Sequence, residues 1–101
     1  MGKAQRDKGN RFERSIVNAF KTNDIPAKRV PLSGATEYAK GDVVAEVKGE
    51  QWRFELKVRG EGFKNLYSWL DDNDALIVKA DNRRALVVMD LGQFIRLIKE
   101  D

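Results

Sequence analysis

Gly41-Asp42-Val43-Val44-Ala45-Glu46-Val47-Lys48-Gly49-Glu50-Gln51-Trp52-Arg53-Phe54-Glu55-Leu56-Lys57 reads as two strands joined by a tight turn. In the second strand Trp52, Phe54, Leu56 and Val58 alternate with Gln51, Arg53, Glu55, Lys57 and Arg59. Alternation with period two gives one apolar face and one polar face. In the first strand Val43, Ala45 and Val47 share a face, and Asp42 belongs to the other. Gly49 marks the turn.

The length of the turn decides what Asp42 meets. A two-residue loop at Lys48-Gly49 sets Asp42 opposite Glu55. A loop at Gly49-Glu50, or a four-residue loop from Lys48 to Gln51, sets it opposite Lys57. Directly opposed residues lie about 5 Å apart at Cβ and share a face. Each of these registers therefore gathers Asp42, Glu55 and Lys57 on one face, whereas a three-residue loop would flip one strand and break the cluster. Two carboxylates beside an ammonium suit a hard divalent cation, Mg²⁺ or Mn²⁺, better than a soft metal. Such a cation polarises a phosphate oxygen and acidifies a bound water. Lys57 is then placed to orient that water or to stabilise charge developing on the phosphate. A solvated edge hairpin would carry the same residue types, so the rest of the chain has to bear on the choice.

Composition narrows the chemistry. The 101 residues suffice for one compact domain, taken here as 1–101. There is no cysteine and no histidine. Disulfides, thiolate catalysis, a Ser-His-Asp triad and His- or Cys-ligated metals are excluded. Carboxylates, lysine, hydroxyls and a hard metal remain. A net charge of +3 and a pI of about 9.3 lean towards a polyanionic partner. No apolar run approaches the roughly 20 residues that span a bilayer. The N-terminus lacks a signal-peptide apolar region, so a cytoplasmic location without membrane association is expected.

Taken in order, residues 1–7 read as a polar, frayed end, followed by a helix from about Lys8 to Lys21. Phe12, Ile16, Val17, Ala19 and Phe20 fall in one arc of that helix, with Arg11, Arg14, Asn18 and Lys21 opposite. Glu13 projects into the apolar arc. A carboxylate facing the interior needs a partner, a proton or a metal, unless it reaches water at the helix border. A short strand follows at 27–31, with Lys28 and Arg29 exposed and Pro31 at its end. Leu32-Ser33-Gly34-Ala35-Thr36 is a small-residue loop able to set Ser33 and backbone N–H groups against a phosphate.

Beyond the hairpin and a Gly60–Gly62 turn, Phe63, Leu66, Tyr67 and Leu70 recur at helical spacing as a core stripe. Trp69 falls off it, which makes Trp69 a candidate for a subunit surface. Asp71-Asp72-Asn73-Asp74 stops that helix. Residues 75–80 and 85–89 read as strands, the second buried on both faces by its unbroken apolar character. Asp90 with Gln93 has the spacing of a capping box. The last helix carries Leu91, Phe94, Ile95 and Ile98 on one side. The order α-β-β-β-α-β-β-α, with a helix able to cross over between parallel strands, implies an α/β fold with a mixed sheet flanked by helices.

This pattern resembles the PD-(D/E)XK nuclease superfamily, and within it the archaeal-type Holliday junction resolvases. The likeness runs from about Gly9 to Ile98. It is carried by Gly9-Asn10-Arg11-Phe12-Glu13-Arg14, by Arg29, Pro31, Ser33 and Gly34, by Gly41-Asp42-Val43-Val44-Ala45, and by Glu55-Leu56-Lys57. Gly41 stands where the superfamily's name has proline, and the region after Lys57 is shorter than in those resolvases.

The resemblance implies a restriction-endonuclease-like fold and a Mg²⁺- or Mn²⁺-dependent endonuclease that resolves four-way junctions as a homodimer. Asp42, Glu55 and the Leu56 carbonyl would hold the metal, with Glu13 contributing. Lys57 would position the water, and Ser33 would belong to a mobile catalytic loop. Arg6, Lys8, Arg11, Arg14, Arg29, Ser33, Lys40 and Arg59 form the expected DNA-contacting set, giving affinity without base specificity. The competing expectations are another nuclease of the superfamily, acting on duplex, flap or single-stranded DNA, and a DNA-binding module without catalysis.

Overall fold

The computed structural model describes residues 3–30 and 42–99, the side chains of Gln5 and Asp42 excepted. The elements are α1 (Lys3–Thr22), β1 (Ala27–Arg29), β2 (Asp42–Val47), β3 (Glu50–Glu55), α2 (Lys64–Leu70), β4 (Leu76–Val78), β5 (Leu86–Val88) and α3 (Leu91–Lys99). This is the α/β class and the element order read from the sequence. Internal contacts divide the chain into two units, Met1–Val58 and Arg59–Asp101. No described helix is long and apolar enough to cross a membrane.

In the first unit, α1 starts at Lys3, well before the expected start. Lys3, Ala4, Gln5 and Arg6 are strong helix formers, so propensity carries the helix through a segment whose polarity alone suggests fraying. Glu13, Val17 and Phe20 are the buried residues among the described side chains of α1, spaced by four and three as one helical stripe requires. The helix stops in a Schellman arrangement. Ile25 N–H donates to the Phe20 carbonyl (2.9 Å), and Asp24 N–H donates to that of Lys21 (2.9 Å). Asp24 takes the left-handed position at φ 63°. The hydrophobic closure of the motif is Ile25 against Phe20, both buried.

Beneath α1 lies a three-stranded antiparallel sheet in the order β1-β2-β3. Central β2 buries Val43, Val44, Ala45 and Val47. Val43 stands opposite Phe54 and Ala45 opposite Trp52, so those four side chains line one face. The Phe20 and Phe54 rings meet at 5.6 Å between centroids, and Trp52 and Phe54 at 6.0 Å, which identifies this as the face that α1 covers.

The β2–β3 loop has two residues, with φ 52° at Lys48 and 84° at Gly49. Positive φ at both central positions is the mark of a type I′ turn, whose twist matches that of the flanking strands. A Cβ on Gly49 would meet nothing within 4 Å. The cost of substitution there is backbone strain alone. Gly49→Val is expected to lower stability by about 1–2 kcal/mol, seen as a lower urea midpoint with an unchanged m value.

The second unit pairs β4 with β5 as an antiparallel ladder, and α2 packs on β4. Asp71 N–H donates to the Tyr67 carbonyl at 3.0 Å. The Asn73 side chain closes the helix end by donating to the carbonyls of Trp69 (3.3 Å) and Asp71 (3.1 Å). At α3, Gln93 N–H donates to Asp90 Oδ2 at 3.2 Å, which is half of the expected capping box. The Gln93 side chain turns away and accepts from Arg96 at 3.1 Å, so the reciprocal half is not made. Ile95 is the buried residue of α3.

The ladders among the described residues are all antiparallel. Two expectations for this unit need correction. The strand at 85–89 is not buried on both faces: Leu86 and Val87 are 62% and 64% exposed, and Ile77 opposite Val87 is 70% exposed. Leu86 and Val87 are consecutive and so lie on opposite faces of the ladder, both of them open to solvent at these positions, and an unbroken apolar run carries no alternation to report this. Tyr67 is 74% exposed instead of completing the core stripe of α2, and Trp69 is 56% exposed. A seven-residue helix has room for a narrow apolar contact, which Leu66 and Leu70 supply.

Candidate active site

Three chain segments end together at one end of the first unit's sheet: the last residue of β1, the first residues of β2 and the last residues of β3. Arg29 stands opposite Val43, and Asp42, next along β2, stands opposite Glu55. The Lys48-Gly49 turn thus selects the Asp42–Glu55 register from the two that the three candidate loops allowed. Lys57 Nζ lies 3.2 Å from Glu55 Oε2. Both side chains are about half exposed, at 49% and 56%, so the pair adds little to stability. Its consequence is positional, because it holds an ammonium beside a solvent-open carboxylate.

Glu13 is placed differently. Its residue is 7% exposed, and its Oε1 lies 2.7 Å from Arg29 Nε. The same guanidinium donates from an Nη to Asn10 Oδ1 at 3.2 Å. Arg29 therefore fastens α1 to the end of β1 at two points one helical turn apart. The buried charge has its partner, and that partner is one of the residues expected to contact DNA. Glu13 comes from the face that α1 covers, whereas Glu55 follows Phe54 in β3 and belongs to the opposite face. The two glutamates approach the same end of the sheet from its two sides.

Removing the guanidinium tests this reading of the pair. Arg29→Met leaves a nearly inaccessible carboxylate without a cation. Because Arg29 itself is half open to water, the expected loss is below that of a fully buried pair, about 1–3 kcal/mol. Pairing it with Glu13→Gln should restore part of that loss, and a double-mutant cycle in urea measures the coupling.

The other expected site residues divide as follows. Arg6, Arg11 and Arg14 are exposed along α1, Lys8 is half-buried on it, and Arg59 is exposed. Ser33 and Lys40 lie outside the described residues, as does the rest of the 31–41 segment. Leu56 is half-buried directly after β3. No three carboxylates come together among the described side chains, which do not include that of Asp42. The donor set at the sheet end is nonetheless that of a hard cation. One open carboxylate faces the backbone position of a second across the ladder, and the chain has no cysteine or histidine.

Sequence reasoning missed the Arg29–Glu13–Asn10 connection. Its only sequence signal is a carboxylate in an apolar arc and an arginine in the strand that follows.

No curated protein and no solved structure matches the chain. A family model described as archaeal Holliday junction resolvase (Hjc) matches residues 4–94. That span takes in α1 with Glu13, the hairpin with Asp42, Glu55 and Lys57, and both strands of the second unit. The chain belongs to the archaeal Holliday junction resolvase family.

Proposed function

We propose that the chain is a metal-dependent endodeoxyribonuclease that resolves four-way DNA junctions by paired nicks, working as a homodimer. The observation that carries this reading is Asp42 opposite Glu55 in the β2–β3 ladder, with Lys57 Nζ at 3.2 Å from the Glu55 carboxylate. Family membership supplies the class of substrate.

Asp42, Glu55 and the Leu56 carbonyl would hold Mg²⁺ or Mn²⁺, with Glu13 contributing through water. The bound ion would polarise the scissile phosphate and acidify a water. Lys57, tethered at Glu55, orients that water against the phosphorus. The water oxygen bonds to phosphorus as the P–O3′ bond breaks, which leaves a 5′-phosphate and a protonated 3′-hydroxyl. Ser33 belongs with these groups in the proposed site. Arg6, Lys8, Arg11, Arg14, Arg29, Lys40 and Arg59 hold the phosphodiester backbone by charge, as shape recognition of a branch point requires.

Cleavage of a labelled synthetic four-way junction beside a matched linear duplex, with Mg²⁺, Mn²⁺ or EDTA, tests the proposal. Symmetric paired nicks near the branch point, lost in EDTA and absent from the duplex, are expected. Equal cleavage of both substrates would keep the metal site and remove the junction preference. No cleavage of any DNA under any metal would leave a binding module. A smaller, separable effect is expected of Lys57→Ala, which should slow turnover about 10²-fold while metal binding stays near that of the parent. Titration of Mn²⁺ binding alongside single-turnover rates reads the two apart.

A further inference from the structure

The hairpin between β4 and β5 carries a charge feature that the proposed active site does not use. Lys79, Arg83 and Arg84 are all exposed in the seven residues that separate the two strands. They stand on a unit that is otherwise not basic. Residues 59–101 hold seven Lys and Arg against eight Asp and Glu, a formal balance of −1. Asp71, Asp72 and Asp74 collect at the end of α2, whereas the hairpin connection carries one acidic residue, Asp81, against its three cations. The connection therefore keeps a net positive charge on a unit whose balance is slightly negative.

The tip is also shaped. Arg83 N–H donates to the Ala80 carbonyl at 3.2 Å, closing a four-residue turn with Asn82 at φ 62°. Asn tolerates that left-handed position well. The turn projects Arg83 and Arg84 in succession, and both line a concavity of about 600 Å³ together with Asn82 and Leu86. Among the described residues no carboxylate pairs with either guanidinium. Lys79 Nζ reaches only the Ala80 carbonyl, at 3.2 Å. Two unneutralised guanidiniums on a closed turn, beside an amide side chain, form a set of forked donors suited to phosphate oxygens.

We propose that the β4–β5 hairpin tip is a further phosphodiester-backbone contact, in which Arg83 and Arg84 grip DNA without taking part in the bond-breaking step. The inference rests on the reading of the chain as a DNA-acting nuclease and adds an assignment for its second unit. Its effect is on affinity and on the electrostatic share of binding. It leaves the bond-breaking step to the residues at the end of the first unit's sheet.

The test is binding of a fluorescent four-way junction in EDTA, where no cleavage occurs, at a series of NaCl concentrations. The full-length parent, Arg83→Ala/Arg84→Ala and Arg83→Lys/Arg84→Lys are compared, with circular dichroism to check folding. The alanine pair is expected to bind about tenfold more weakly, with the slope of log K against log salt shallower by about 1–2. The lysine pair should recover most of that slope. Equal affinity and slope in parent and alanine pair would overturn the proposal, as would weaker binding with an unchanged slope. The parent's junction cleavage in Mg²⁺ is run in parallel. Cleavage by the parent with no effect of the alanine pair removes the hairpin contact alone, and a parent that neither binds nor cleaves removes the nuclease reading with it.

Discussion

Asp42→Asn and Glu55→Gln are each expected to reduce Mg²⁺-dependent junction cleavage by a factor of at least about 10²–10³, the scale for losing one preorganised electrostatic group at a reacting phosphate. The loss should be far larger than any change in folding. Glu55 is more than half exposed, and its pair with Lys57 adds little to stability. Both substitutions keep size and shape and remove only the negative charge proposed to bind a hard cation. DNA affinity should hold or rise slightly, because one negative charge near the phosphates is gone. Single-turnover cleavage measured beside binding in EDTA checks both parts. Cleavage by either purified variant at the parental rate would refute the assigned centre. Asp42 and Glu55 face each other across one ladder, so their double variant should be little worse than either single one.

Phe20→Ala is expected to cost about 3–5 kcal/mol, near the total stability of a small domain. Phe20 is 1% exposed and is the largest fully buried side chain described. It touches three things at once. Its ring meets Phe54 on β3, its carbonyl accepts from Ile25 and Asn23, and Ile25 closes the Schellman turn over it. Truncation opens a cavity between α1 and the sheet and loosens the turn that leads into β1, where Arg29 sits. Urea unfolding followed by fluorescence reads the effect, since Trp52 packs against Phe54. A loss below about 1 kcal/mol would mean that α1 is not held to the sheet mainly by this contact.

Several features were legible in the sequence because they depend on local pattern. Parity in the hairpin placed Asp42 with Glu55 or Lys57, and Gly49 limited the turn, but selecting between the two registers needed the φ angles at Lys48 and Gly49. The apolar arc of α1 marked its sheet-facing side, and Val17 and Phe20 are buried as that arc requires. The family resemblance stands on the match over residues 4–94.

What was not legible depends on tertiary placement. Glu13 showed that it needed a partner, but Arg29 is 16 residues away and meets it only because β1 returns beneath α1. Leu86 and Val87 looked like core because the unbroken apolar run 85–89 carries no alternation, and whether a layer covers them is set outside the run. Ser33 and Lys40 fall outside the described residues and stay as proposed.

The strand order of the first unit has a consequence for behaviour at high concentration. With β2 in the middle, β1 and β3 are the edge strands of this sheet among the described residues, and an edge is the kind of surface on which chains add to one another as extra strands. Neither edge is an easy template. β1 is three residues long, and its exposed positions are the cations Lys28 and Arg29. β3 is longer and exposes Trp52, but it also exposes Glu50, Arg53 and Glu55, so a second copy laid against it meets charges of both signs. The carboxylate at the end of β3 proposed to hold the metal thus also guards the sheet against aggregation. Glu55→Gln should be watched for self-association at high concentration, apart from any effect on cleavage.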